Sequence, residues 1–251
     1  MDKLKIIAVT HKHDTTAQSC RWEDQKSAEF ERAWLQNPSQ FDPDRCPITA
    51  DQVEEAWRLI TQQVGNPRGP AVELGCGFAA ISRRLFQAGC DVLATDIASN
   101  CLVHAAKLGL PTRQCTAPST ELDDDRYQLV LCCNLIAELP QRSHRHLMAE
   151  LYRLCHPNGY VLISTDLDIY SKNALLCFEQ LIRTELEPIA WSTQHHALLL
   201  RLEKLWPSLG TWIRMRSGLR EILEKVCRRL LGDHGASHIT VLARRRRAFS
   251  G

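Results

Sequence analysis

Apolar residues in this chain fall into two alternating patterns: short continuous blocks, and longer stretches with helical spacing. Trp22, Ala28, Phe30, Ala33, Trp34 and Leu35 predict a short helix over residues 22–35, which stops at Asn37-Pro38 because proline disfavours helix for the residue before it. Residues 38–47 hold three prolines and read as a linker. Thr49 to Gln52 has the spacing of a capping box, and Val53, Trp57, Ile60 and Val64 then share one helical face. Ala71 to Leu74 is a short apolar strand, followed by Gly75-Cys76-Gly77 and a helix through Ile81, Leu85 and Phe86. A second strand over 91–95 ends in Asp96, and a helix over 98–108 follows. Residues 127–133 (YQLVLCC) are continuously apolar, as expected for a strand covered on both faces. The remainder predicts helices over 144–155 and 172–186, a strand over 160–165, a short strand over 189–192, an amphipathic helix over 219–230 and a final strand over 238–243.

Strands and helices alternating at these lengths imply an α/β fold with a doubly wound, mostly parallel sheet. A length of 251 residues fits one large domain with a modest appendage. The expected division is an N-terminal cap over 1–48 and a main domain over 49–251, within which residues 166–235 form a helical lid on the substrate side.

Composition narrows the class. Hydrophobic residues make up 44% and charged residues 24%, which is ordinary globular usage rather than disorder. No apolar run approaches the roughly 18 residues of a membrane span, and the first ten residues are too short in apolar character for a secretory segment. The eleven cysteines are odd in number, several lie in apolar runs, and no C-x-x-C occurs. Free buried thiols in a reducing cytoplasm are expected, with neither a disulfide framework nor a metal site. The net charge of +2 hides a gradient. Residues 1–200 carry 19 basic and 25 acidic side chains, whereas residues 201–251 carry 12 and 4, including the run Arg244 to Arg247. Such an end can hold phosphates, or can be no more than a solvated face.

The glycine turn carries the chemistry. Glycines between a strand and a helix permit positive φ and close approach of a ligand to bare backbone at the positive end of a helix. Asp96 lies 21 residues beyond Gly75, at the end of the next strand, where a carboxylate can accept hydrogen bonds from a ribose diol. Gly75-x-Gly77-x-x-Ala80 formally matches the dinucleotide fingerprint. Glu73 argues against a pyrophosphate, whose charge it would repel. A ligand with an ammonium or sulfonium centre would be attracted.

Residues 71–165 resemble the class I S-adenosylmethionine-dependent methyltransferases. Val72-Glu73-Leu74-Gly75-Cys76-Gly77 is similar to that family's first motif, Asp96-Ile97 to its ribose-binding pair, and Leu154 to Tyr160 to the turn into its fifth strand. The flavour is that of members acting on quinones, malonyl carriers and other small molecules. The resemblance implies a seven-stranded Rossmann-like sheet with a helical N-terminal cap and a helical insertion before the last strand. It implies S-adenosyl-L-methionine as cofactor, with Glu73, Gly75, Cys76 and Gly77 near its methionine portion and Asp96 on the ribose. Ile97 would flank the adenine, Thr116 and Ala117 its edge, and Asn134 would begin the loop where acceptors dock.

Methyl transfer from a sulfonium needs mainly alignment, so no universal catalytic signature is expected. Asp166, Asp168, Tyr170, His195 and His196 are candidates to line the acceptor pocket, and none is singled out as a base. Trp22, Trp34, Trp206 and Trp212 are candidates for its apolar lining. Cys132 or Cys133 could act as a nucleophile only if reactive, which burial opposes. The leading expectation is methylation of a small-molecule acceptor. The alternatives are an RNA methyltransferase using the basic C-terminal third and a silent cofactor-binding module.

Overall fold

The computed structural model describes residues 16–36, 42–168, 173–196 and 236–246, with residues 205, 206, 222, 223, 226, 227 and 229. Its centre is a seven-stranded sheet in the order β3-β2-β1-β4-β5-β7-β6. The strands are β1 (Gly69–Leu74), β2 (Cys90–Asp96), β3 (Thr112–Gln114), β4 (Tyr127–Cys133), β5 (Cys155–Asp166), β6 (Leu186–His196) and β7 (Ala236–Arg245). The first five run parallel, and β7 inserts antiparallel between β5 and β6. The helices are α1 (Thr16–Gln36), α2 (Pro47–Val64), α3 (Ala80–Gln87), α4 (Ser99–Lys107), α5 (His144–Leu154) and α6 (Ala174–Ile182).

Alternation along the strands explains two cores rather than one. On β4, Leu129 and Leu131 join a cluster with Leu59 and Ile60 of α2, Leu85 of α3 and Ala105 of α4. Val130 and Cys132 point the other way, into a cluster with Leu147, Leu151 and Leu154 of α5 and Phe178 and Ile182 of α6. Both faces of the sheet are covered, which is why its strands read as unbroken apolar runs.

Several boundaries differ from expectation. Thr49 and Gln52 form no capping box: α2 begins at Pro47, its N-cap is Cys46, and no side chain caps it. Proline at the first turn lacks the N–H a cap would satisfy, so the helix starts earlier than the Thr-x-x-Gln spacing implied. The strand β3 was not foreseen, because its three residues are all exposed and carry no apolar signal. Within the segment expected as a lid, α6 packs against the core and β6 extends the sheet over eleven residues, so 174–196 belongs to the central fold. The helix expected over 219–230 lies mostly outside the described residues.

Two polar networks fix the loops above the strand ends. Glu150 of α5 is buried and accepts hydrogen bonds from Thr120 N at 2.9 Å and Thr120 Oγ1 at 2.5 Å. Arg153 closes a bidentate pair on the same carboxylate at 2.7 and 2.8 Å. Burial alone would raise the Glu150 pKa, but Arg153 and Thr120 outweigh it and hold the pKa below the ordinary 4.5. The network therefore stabilises the fold above that ordinary value, and the contribution is lost as pH falls through the depressed pKa.

The second network involves α1. The first amides of α4 have no partner within their own helix. Asp96 Oδ1 accepts from Ala98 N at 2.9 Å, and Glu31 of α1 accepts from Ser99 N at 2.6 Å, Ser99 Oγ at 2.7 Å and Asn100 N at 3.3 Å. Two carboxylates from distant positions thus cap one helix, where its dipole favours negative charge.

Glu150→Ala should leave Arg153 and Thr120 without their buried partner and lower unfolding free energy by about 2–4 kcal/mol, read by urea titration. Glu31→Ala should cost about 1 kcal/mol of cap energy and show as roughly five-fold faster proteolysis within α1, with the urea midpoint changing little.

Candidate functional site

The strand order reverses between β1 and β4, the point at which open α/β sheets place ligands beyond their carboxyl ends. A crevice of about 470 Å³ opens there. All nine residues named above as cofactor-side candidates line it: Glu73, Gly75, Cys76, Gly77, Asp96, Ile97, Thr116, Ala117 and Asn134. They come from the ends of β1, β2 and β4 and the loop after β3.

The turn from β1 to α3 is built by left-handed backbone. Gly75 has φ +70 and Gly77 φ +48. A Cβ on Gly75 would lie 3.1 Å from Leu135 Cδ1, so glycine there serves both conformation and close packing. A Cβ on Gly77 would meet nothing within 4 Å. The space beside Gly77 is open for a ligand. Ala79 also adopts φ +51 as the N-cap of α3, a conformation that alanine holds less readily than glycine.

Asp96 is 8% exposed, and its two oxygens are divided. Oδ2 accepts from Gly77 N at 2.9 Å, and Oδ1 from Ala98 N at 2.9 Å. Burial raises its pKa above 3.8, partly offset by these amide donors. Each oxygen still has a lone pair free of these bonds, as a diol would require.

Glu73 departs from the expectation of a carboxylate simply facing a cationic ligand. It is 3% exposed, and its Oε2 accepts from Ser82 Oγ at 2.5 Å and Ser82 N at 3.3 Å. Burial pushes its pKa up to about 7, against the lowering effect of Ser82. Near neutral pH it is a carboxyl poised between its two forms.

The crevice wall at Ile97, Thr116 and Ala117 is held through the backbone. Ile97 O accepts from Gln114 Nε2 at 2.8 Å and from Ser27 Oγ of α1 at 3.3 Å. Thr116 and Ala117 sit on a small turn closed by Thr116 Oγ1 donating to Ser119 O at 3.5 Å. Asn134 takes a left-handed conformation, φ +56, and donates its backbone N–H to Ser164 O at 2.9 Å.

Helix α1 roofs the crevice with Trp22, Phe30 and Trp34. Trp34 stacks on Phe78 and His104, with ring centroids 4.9 and 5.5 Å away. Burial opposes the charge of Lys26, yet Glu29 and Glu138 raise its pKa, and its ammonium bridges to Glu138 at 3.3 Å. Of the other expected lining residues, Trp206 is 59% exposed and lies outside the crevice, and Trp212 lies outside the described residues. Asp166 lines the crevice. Tyr170 and the side chains of His195 and His196 fall outside the described residues.

Gln52, Lys26, Glu138 and Ser164 also line the crevice and were not foreseen. Gln52 sits on a helix that reads as packing alone, and no local pattern points it toward the strand ends.

Among the described residues, no group of three or more His, Cys, Asp or Glu is placed to hold a metal ion. Burial pushes the Cys132 thiol up to about 12, and the Cys133 and Cys76 thiols well above their ordinary value. A thiol so held has almost no thiolate with which to attack. Of the basic end, three arginines are engaged within the fold: Arg244 donates to Tyr160 Oη at 2.8 Å, Arg245 pairs with Asp125 and packs on Tyr152, and Arg246 donates to Arg183 O at 3.1 Å. Arg247 lies outside the described residues. No described helix is long and apolar enough to cross a membrane.

Comparison with known proteins agrees with this geometry. Residues 71–159 match a family model described as a methyltransferase domain. Ubiquinone biosynthesis O-methyltransferase of Bordetella avium is 26% identical over 142 residues, covering 53% of this chain and 55% of that protein. The same-named protein of Leptothrix cholodnii is 26% identical over 151 residues, covering 56% and 60%. The chain thus matches little more than half the length of these relatives. Among solved structures, the N-methyltransferase NodS from Bradyrhizobium japonicum, bound to S-adenosyl-L-homocysteine, superposes with a TM-score of 0.61 at 12% identity, covering 88% of this chain and 99% of that one. The PH0226 protein from Pyrococcus horikoshii gives 0.61 at 11% identity, covering 86% and 99%. The glycine turn and Asp96 fall inside the segment that is similar to a methyltransferase domain, and the sheet shares the fold of these solved structures.

Proposed function

We propose that this protein transfers a methyl group from S-adenosylmethionine to an oxygen of a small acceptor with an apolar body, in the cytoplasm. The observation that carries the reading is the placement of two buried carboxylates, Glu73 and Asp96, on either side of one open glycine turn in one crevice. Free thiols at all ten described cysteines are in keeping with a reducing compartment.

The residues present fit the cofactor. Asp96 has acceptor capacity for a ribose diol, Gly77 leaves bare backbone beside it, Ile97 and Ala117 offer apolar walls, and Glu73 can match a cationic centre. When bound, S-adenosylmethionine supplies a methyl group already activated by positive sulfur. The protein then has to bind, align and exclude water. Alignment of reactants contributes on the order of 7–11 kcal/mol in favourable models. Trp22, Phe30 and Trp34 on α1 cover the crevice and keep it dry. The names of the two relatives above support oxygen as the methylated atom. The involvement of Arg244, Arg245 and Arg246 within the fold leaves the RNA reading without a specific observation in its favour.

Asp96→Ala should weaken S-adenosylmethionine binding by on the order of 100-fold in calorimetry, the scale of losing charge-assisted hydrogen bonds to a diol. Unchanged affinity, or no binding by the wild-type protein at millimolar ligand, overturns the reading. Glu73 adds a pH signature. A cationic ligand favours its carboxylate form, so affinity should rise as pH climbs through about 7, and Glu73→Gln should remove that rise. In the ligand-free protein the sign is opposite. An acid with a raised folded pKa stabilises fully below its ordinary 4.5, and the contribution is lost as pH rises through about 7. Melting temperature should therefore fall across that window, and the Glu73→Gln variant should flatten the fall.

A further inference from the structure

One side of the crevice contains a connected polar chain whose members, apart from Asn134, the cofactor reading does not use. Asp166 ends β5 and His238 faces it across the antiparallel pairing with β7. His238 is fully buried, while the Asp166 side chain is 64% exposed and lines the crevice. His238 Nδ1 lies 3.0 Å from Asp166 Oδ1 and 3.1 Å from the Gln52 side-chain amide, which in turn bonds Asn134 at 2.9 Å. Gln52 and Asn134 line the same crevice.

Two partners at one ring nitrogen set the proton's place. A carboxylate can only accept, so with Asp166 ionised Nδ1 must carry the hydrogen and donate to Oδ1. Gln52 then presents its carbonyl oxygen to the same ring N–H and donates its amide nitrogen to Asn134, whose own amide turns likewise to accept with Oδ1, reorientations that the near-identical shapes of the amide ends permit. The chain becomes directional. Asn134 and Gln52 fix the imidazole, the imidazole fixes one oxygen of Asp166, and the other oxygen is left to the crevice.

We propose that Asp166 is the general base for the acceptor, with His238 as its positioning residue, and that the acceptor presents a phenol-type hydroxyl to it. This rests on the methyl-transfer reading above. The hydroxyl O–H bond breaks and its proton passes to the free oxygen of Asp166. The acceptor oxygen uses the released pair to bond the methyl carbon, while the carbon–sulfur bond of the sulfonium donor breaks with its pair kept on sulfur. Asp166 returns the proton to water, which its exposure allows. The aromatic face of α1, Trp22, Phe30 and Trp34, suits the flat apolar body of such an acceptor.

The test uses the full-length protein with two probes: catechol, whose hydroxyls keep their protons near neutral pH, and 4-nitrophenol, which is largely ionised at mildly alkaline pH. Asp166→Asn should leave S-adenosylmethionine affinity within about two-fold and reduce methyl transfer to catechol by about 100-fold or more, the usual scale of a general base. Transfer to 4-nitrophenol at mildly alkaline pH should change by less than about five-fold, because an ionised oxygen needs no base. A readout without any donor comes from 4-nitrophenol absorbance in the presence of S-adenosylhomocysteine. Beside Asp166 the bound probe should hold its proton more tightly, so its yellow anion band fades on binding, and Asp166→Asn should abolish that fading. His238→Asn keeps a donor at the Nδ1 position and should retain most activity toward catechol, whereas His238→Leu should approach the loss seen in Asp166→Asn. If the leucine variant does not fold, the asparagine pair decides. Equal losses on both probes, or wild-type protein that binds cofactor but methylates neither, overturn this inference and leave the cofactor reading standing. Absence of cofactor binding overturns the cofactor reading itself.

Discussion

The position of Asp96 governs much of what surrounds it. Its carboxylate is buried at the end of β2, and a buried carboxylate must find donors or lose its charge. It finds them in the glycine turn through Gly77 N and in the start of α4 through Ala98 N. That choice sets the distance between the turn after β1 and the helix after β2, and so the width of the crevice between them. It also leaves the next amides of α4 open, and these are what Glu31 takes. The roof is attached to the site through the same helix terminus that orients Asp96.

The two carboxylates of the crevice are held in different ways. Asp96 has backbone donors on both oxygens, whereas Glu73 has Ser82 on one and stands under a fuller burial penalty. Electrostatically this keeps the crevice from holding two full negative charges side by side. A cationic ligand reverses the balance by giving Glu73 a reason to ionise. The cysteines around the crevice follow the same logic. Burial in apolar surroundings near acidic groups keeps them as thiols, so they act as soft packing.

The parts legible in the sequence are those whose physics is local. Continuous apolar runs such as residues 127–133 reveal strands covered on two faces, and Gly75-x-Gly77 followed by a strand-terminal acid reveals a left-handed turn beside a crevice, because each is written in neighbouring residues. What stayed hidden depends on partners far along the chain. The exposed residues of β3 have no burial pattern, and their strand exists only by pairing with β2. Glu31 reads as one more surface charge of an amphipathic helix, yet it meets α4 some 68 residues later. Asp166 and His238, 72 residues apart, become neighbours only because β7 runs antiparallel to β5. The Thr49 to Gln52 spacing misled for the converse reason: a local motif lost to a proline two residues earlier.

That reversal of β7 also explains the fate of the basic end. Register pairs Asp166 with His238 and Tyr160 with Arg244. Six residues of strand separate the two pairs, roughly 20 Å at about 3.3 Å per residue. One strand thus sets His238 behind Asp166 of the crevice and carries its arginines to the opposite end of the sheet, where they meet Tyr160, Tyr152 and Asp125. Three arginines that look in sequence like part of a phosphate-binding tail, Arg244 to Arg246, are thus engaged at the far end of the sheet. At that separation, about two and a half times the screening length in physiological salt, these arginines contribute little to the potential felt in the crevice. The local field there is set instead by Glu73, Asp96, Asp166 and the Lys26–Glu138 pair, an acidic balance that suits a cationic donor and a neutral acceptor better than a polyanion.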